Sequence, residues 1–155
     1  MKTTKFTESI IIERSPEVVF DFTQDYNNRL TWDTFLRKAD LLYGAKEAGI
    51  GVKALCVAKN GIGMVTEYVT FNKPKVTAIK MIDGPYMFKS FLGSWTFKEV
   101  NDRTEVTFLY AYEFRFPFSL ISPLIKAKLQ KEVRKRLADL KRNIEKVELH
   151  AEITP

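Results

Sequence analysis

In the stretch TEVTFLYAYEF, Thr104 to Phe114, Val106, Phe108, Tyr110, Tyr112 and Phe114 share one face of a strand and Glu105, Thr107 and Glu113 the other. The period is two and the apolar side is almost wholly aromatic, so that face must be buried. Immediately upstream, KSFLGSWTFK matches it: Phe91, Gly93, Trp95 and Phe97 lie on the aromatic side and Ser90, Ser94, Thr96 and Lys98 opposite. Leu92 and an inward-set Lys89 break the alternation. Asn101-Asp102-Arg103 between the two stretches is a turn signal, which predicts an antiparallel hairpin.

The same period runs outward from this hairpin. Between Phe35 and Phe116, turn signals at AGIG before Val52, NGIG from Asn60, NKPK from Asn72, DGP from Asp83 and NDR from Asn101 cut the chain into six strands. Short connections without helical pattern between them favour consecutive antiparallel hairpins over crossovers. A β-branched and apolar run over Lys5 to Glu13 supplies a further strand, for about seven in all. In VKALCVAK the residues Ala54, Cys56 and Ala58 give one face little bulk, which leaves space beside the large aromatics.

Helical signals sit at the two ends. Ser15-Pro16-Glu17 presents an N-cap, a proline at the first helical position and an early acid, followed by an apolar stripe of Val18, Val19, Phe22 and Tyr26. DYNN stops that helix, and a second short one is expected through Leu30. Ser122-Pro123 repeats the start signal and opens one long helix without Gly or Pro over about 25 residues. Ile121, Ile125, Leu129, Val133, Leu137, Leu140, Ile144 and Val147 form its apolar stripe. Lys126, Lys128, Lys131, Arg134, Lys135, Lys141, Arg142 and Lys146 crowd the rest of its circumference, diluted by Glu132, Asp139, Glu145 and Glu148. The tail HAEITP is expected to fray.

These elements predict an α+β fold: a curved antiparallel sheet of about seven strands wrapped around a long C-terminal helix, with two short helices after the first strand. With no repeat, low-complexity segment or linker, residues 1–155 read as a single domain. A sheet this size exceeds what one helix can fill, so a cavity is expected between them.

Composition narrows the function classes. No signal peptide opens the chain and no run is apolar enough to span a membrane, so a cytoplasmic protein is expected. The single cysteine, Cys56, excludes an internal disulfide and a cysteine-based metal site. The only histidine, His150, lies near the C-terminus, which argues against Ser-His-Asp, Cys-His or histidine-metal mechanisms. Neither GIGVKA nor NGIGMV precedes a helix, so there is no phosphate loop. No metal or cofactor is expected.

The order of these motifs resembles the START-like (SRPBCC) superfamily with its helix-grip fold, in particular the polyketide cyclase/dehydrase branch. The resemblance covers essentially the whole chain. SPEVVFDFTQDYNNRLTWD after the first strand, GMVTEYVTFNKPKVTAIKM, GSWTFKEVNDRTEVTF and the long final helix carry it. It implies a deep pocket for a hydrophobic small molecule or lipid, and it does not fix activity, because members include lipid carriers, plant allergens, hormone receptors and polyketide aromatases. It also implies that NNRLTWD is a strap across the end of the sheet, with Trp32 packed as an anchor. A packing role for Trp32 and Asp33 is therefore preferred over a catalytic one. For Arg29, a solvated surface position is preferred over the pocket mouth.

The expected ligand-binding residues are Glu67, Phe91, Trp95, Phe97, Phe108, Tyr110, Tyr112, Leu129, Val133 and Leu137. Glu67 depends on register: MVTEYVTF turns inward either Val65, Glu67, Val69 and Phe71 or Met64, Thr66, Tyr68 and Thr70, and the apolar count favours the first. A glutamate on a solvated face is the equally ordinary alternative. Cys56 reads as buried filler rather than nucleophile.

Carriage of a hydrophobic small molecule or lipid is the function these features favour, with no catalytic residue assigned. A cyclase, aromatase or dehydratase is the alternative, with Glu67, Tyr110 and Tyr112 moving protons. A third reading uses the basic side of the last helix to touch RNA, ribosome or anionic membrane. The net charge of +6 permits it, but the interspersed acids argue against a nucleic-acid face and leave transient contact with anionic membrane. A monomer or weak homodimer is expected.

Overall fold

The computed structural model describes residues 3–153, with side chains through residue 146. The readings of Val147, Glu148, His150 and the frayed tail fall outside the described side chains. The elements are β1 (Thr4–Ile12), α1 (Pro16–Gln24), α2 (Arg29–Trp32), β2 (Leu36–Leu41), β3 (Lys53–Ala58), β4 (Gly63–Asn72), β5 (Val76–Asp83), β6 (Phe88–Val100), β7 (Arg103–Phe114), a 3-10 turn (Phe118–Ile121) and α3 (Ser122–Ile153).

All seven strands form one antiparallel sheet in the order β1-β7-β6-β5-β4-β3-β2. From β2 to β7 each strand pairs with the next in sequence, and β1 closes on β7. The β6–β7 hairpin turns on Asn101 and Asp102 with φ of 50° and 65°, both left-handed, as a two-residue turn matching strand twist requires. Asn and Asp are the non-glycine residues that best tolerate that conformation.

Two irregularities change which side chains face inward. A register shift between Phe88 and Ser90 in β6 resets the alternation, so Phe88 and Phe91 are both buried and Lys89 points out. That disposes of the inward-set lysine. A second shift, between Tyr68 and Thr70 in β4, lets Tyr68 and Phe71 share the inner side and leaves Val69 exposed.

At the helix starts the chain keeps one expected cap and omits the other. Ser15 Oγ accepts from the Val18 amide at 3.4 Å, with Pro16 at the first helical position. Ser122 instead has helical backbone angles, φ −50° and ψ −45°, because the 3-10 turn runs directly into α3. It is not an N-cap.

The stripe of α3 behaves differently along its length. Val133, Leu137, Leu140 and Ile144 are fully buried against Ile12, Val19, Phe20 and Val106. Ile125 and Leu129 are only half-buried, while Ile121 and Leu124 are exposed. The helix thus seals one end of the curled sheet and leaves the other open, in the helix-grip arrangement. Within the sealed end, Phe97 stacks on Trp95 at 6.3 Å and meets Phe20 edge-on at 5.3 Å. Phe97→Ala should lower unfolding free energy by about 3–5 kcal/mol, read from the urea midpoint at unchanged slope.

Candidate functional site

The open end encloses a cavity of about 380 Å³, within the range of roughly 300–1,000 Å³ usual for small-molecule sites. Its floor is aromatic: Phe88, Phe91 and Trp95 from β6, Phe108 and Tyr110 from β7. Across from them β3 contributes only Cys56 and Ala58, and Gly93 adds no side chain between Ile79 and Tyr110. Ile125 and Leu129 of α3 form the lid side. Space exists because large rings on β6 and β7 face small residues on β3, while α3 diverges from the sheet toward its N-terminus.

Of the residues expected from sequence, Phe91, Trp95, Phe108, Tyr110 and Leu129 line this cavity. Phe97, Val133 and Leu137 pack into the sealed end. Tyr112 is fully buried among Phe6, Phe88, Phe91 and Phe114, and its hydroxyl has no hydrogen-bond partner among the described residues. None of these four lines the hollow.

Glu67 is a correction. It sits opposite Lys53 and Lys80 on the outer side of the sheet, with the Lys53 ammonium 3.2 Å from its carboxylate. Thr66 and Tyr68 line the cavity instead. The alternation favoured by the apolar count assumed an unbroken period from Val65 to Phe71, and the shift in β4 breaks it. The proton-moving set of Glu67, Tyr110 and Tyr112 is therefore not assembled.

Arg29 is a second correction, since it is only 6% exposed and lines the cavity rather than standing in solvent. Its Nε donates to Asp33 Oδ2 at 2.8 Å. Asp33 is fully buried and also receives Arg136, through Nε on Oδ1 at 3.0 Å and Nη2 on Oδ2 at 2.8 Å. Arg136 Nη1 donates to Tyr110 Oη at 2.7 Å, which joins helix, strap and sheet in one network. Beside it Thr34 Oγ1 donates to Asp139, one turn further along α3. Trp32, fully buried, meets Trp95 edge-on at 6.1 Å, so the strap is anchored by packing as well.

Residue type does not mark Arg136 for burial, because a run of basic residues around α3 reads as a solvated face. The signal was positional: it lies three residues after Val133 and four before Leu140, on the buried stripe.

A second polar chain runs from the cavity into the sealed end. Tyr68 Oη donates to Gln24 Oε1 at 2.7 Å, which leaves Tyr26 to donate to Tyr68 Oη at 3.1 Å. Burial pushes both phenols up, so they stay protonated at neutral pH. Burial likewise raises the Cys56 thiol against the opposing pull of Arg29 and Arg136, which disfavours a reactive thiolate. No group of three or more metal-ligating side chains occurs among the described residues.

Burial would raise the Asp33 carboxyl, but attraction and hydrogen bonds from Arg136 and Arg29 outweigh it and hold it at about 2, below its ordinary 3.8. A carboxyl lowered on folding stabilises above its unfolded pKa and loses that contribution as pH falls through the folded one. About 2 kcal/mol of stability should disappear between about pH 4 and pH 2. Asp33→Asn should remove that acid limb and cost about 3–5 kcal/mol at pH 7, measured by urea unfolding across pH, because two guanidiniums lose their counter-ion.

The sequence model of a family described as polyketide cyclase/dehydrase and lipid transport matches residues 3–145. No curated protein sequence matches the chain. Among solved structures, a protein from Thermus thermophilus superposes with TM-score 0.79 at 17% identity, covering 93% of this chain and 99% of that one. The Zhui aromatase/cyclase from Streptomyces sp. R1128 gives 0.79 at 12% identity, covering 93% and 94%. A START superfamily protein from Mycobacterium smegmatis gives 0.78 at 11% identity, covering 92% and 98%. At such identities the likeness is one of fold.

Proposed function

The chain belongs to the polyketide cyclase/dehydrase and lipid transport family, and we propose that it binds and carries a hydrophobic small molecule or lipid, as a single domain, in the hollow between sheet and α3. The observation that carries this reading is the 380 Å³ cavity with aromatic rings on one wall and Cys56 and Ala58 on the other. Burying an apolar guest there gains about 25 cal/mol per Å² removed from water. The wild-type chain should take up the neutral dye N-phenyl-1-naphthylamine saturably, with blue-shifted emission. Ala58→Phe, which fills the small-residue wall, should weaken uptake at least tenfold, while a folded wild type with no saturable uptake overturns the reading.

Loading from an anionic membrane surface accompanies this proposal. Phe116, Leu120 and Leu124 are 70–72% exposed, and Tyr86 joins them through Arg115, whose guanidinium lies 5.3 Å from its ring. Pro85, Met87 and Ile125, their sequence neighbours, line the cavity, so the patch borders its mouth. From Arg115 to Lys131 the chain carries Arg115, Lys126, Lys128 and Lys131 and no acid. Apolar residues ringed by cations suit an anionic bilayer interface. The double variant Leu120→Glu/Leu124→Glu should abolish flotation with phosphatidylglycerol vesicles and leave dye uptake intact. Equal flotation of wild type and variant, or of wild type with purely zwitterionic vesicles, counts against this surface.

A further inference from the structure

We propose that the guest is an amphiphile ending in a carboxylate, with its head against Arg29 and its apolar body in the aromatic chamber; this rests on the cavity-binding reading above.

The charges at the inner wall do not cancel. Arg29 and Arg136 share one carboxylate, Asp33, and both residues line the cavity while being 6% and 7% exposed. The remaining acid on the cavity wall, Glu132, makes no ion pair with either arginine, and Lys128 beside it adds a further cation. A buried cation without a counter-ion is costly, and a protein retains it where something offsets the charge.

Donor bookkeeping places the opening at Arg29. Arg136 is engaged through Nε, Nη1 and Nη2, on Asp33 and Tyr110. Arg29 donates only its Nε, so its two terminal amino groups find no acceptor among the described residues. Asp33 Oδ2 already accepts from both arginines, and the nearby Tyr26, which donates to Tyr68, makes no hydrogen bond with Arg29.

Aromatic neighbours do not fill that role. The Arg29 guanidinium lies 5.0 Å from the Trp32 ring and 5.7 Å from the Tyr26 ring, and such contacts cover the face of the cation. They leave the in-plane N–H groups free. A planar fork of donors in an aromatic-walled pocket matches a carboxylate in geometry and charge, and an alcohol in neither.

The test uses the full chain at pH 8 loaded with N-phenyl-1-naphthylamine, displaced by dodecanoate or 1-dodecanol and by 2-naphthoate or 2-naphthol. In the wild type the acid should displace the dye at a concentration at least tenfold below its alcohol. A preference confined to the first pair assigns a fatty acid, and one confined to the second an aromatic acid. Arg29→Met should bring acid and alcohol to parity, and Arg29→Lys should keep part of the preference. If Arg29→Met fails to fold, the wild-type pairs and Arg29→Lys still decide. Equal displacement by acid and alcohol in both pairs, or an undiminished preference in Arg29→Met, overturns the inference while leaving the cavity reading intact. Failure of the wild type to take up the dye overturns both.

Discussion

The buried carboxylate of Asp33 ties together the parts of the structure that define the cavity. It stands at the end of the strap, receives Arg29 from that strap and Arg136 from α3, and through Arg136 reaches Tyr110 in the sheet. A bidentate ion pair cannot slide without leaving charges unpaired in an apolar interior. The network therefore fixes where α3 crosses the sheet, and with it how much of the aromatic face stays uncovered.

That uncovered part becomes a hollow because of residue size on either side. Trp95 and Phe108 touch edge-on at 4.2 Å, and Phe91 meets Tyr110 at 4.7 Å, so the rings brace one another rather than collapsing inward. On the β3 part of the opposite wall, Cys56 and Ala58 add little bulk. Toward Val133 and Leu140 the same helix meets Ile12, Phe20 and Val106 without a gap. One chain thus carries a packed end that supplies stability and a hollow end that does not close on itself.

Much of this is legible in the sequence, and two of the failures share a cause. Strand number, hairpin order and the aromatic face of β7 follow from an alternation that nothing interrupts. Glu67 and Lys89 were misread because a bulge inserts one residue and reverses parity beyond it, and no local residue in MVTEYVTF or KSFLGSWTFK announces that insertion. The extent of the cavity was hidden for a different reason. Phe97, Val133 and Leu137 lie on the same faces as Trp95 and Leu129, and periodicity assigns a face without saying how far along it the helix lifts away.

Arg29 and Arg136 show where sequence reasoning by residue type breaks down. A basic residue in a basic helix or beside a polar turn is normally solvated, so composition assigned Arg29 to the surface and overlooked Arg136. Their burial is a tertiary fact, made tolerable by Asp33 and by aromatic faces, with Arg136 lying 5.1 Å from Phe35 and 5.4 Å from Phe108. A scaffold needing only to hold the strap would require one arginine for one carboxylate. The second cation shares that carboxylate rather than bringing an anion of its own, at an added desolvation cost. Its position on the wall of an apolar chamber is what the proposed carboxylate head would answer, because two buried cations there share a single anion.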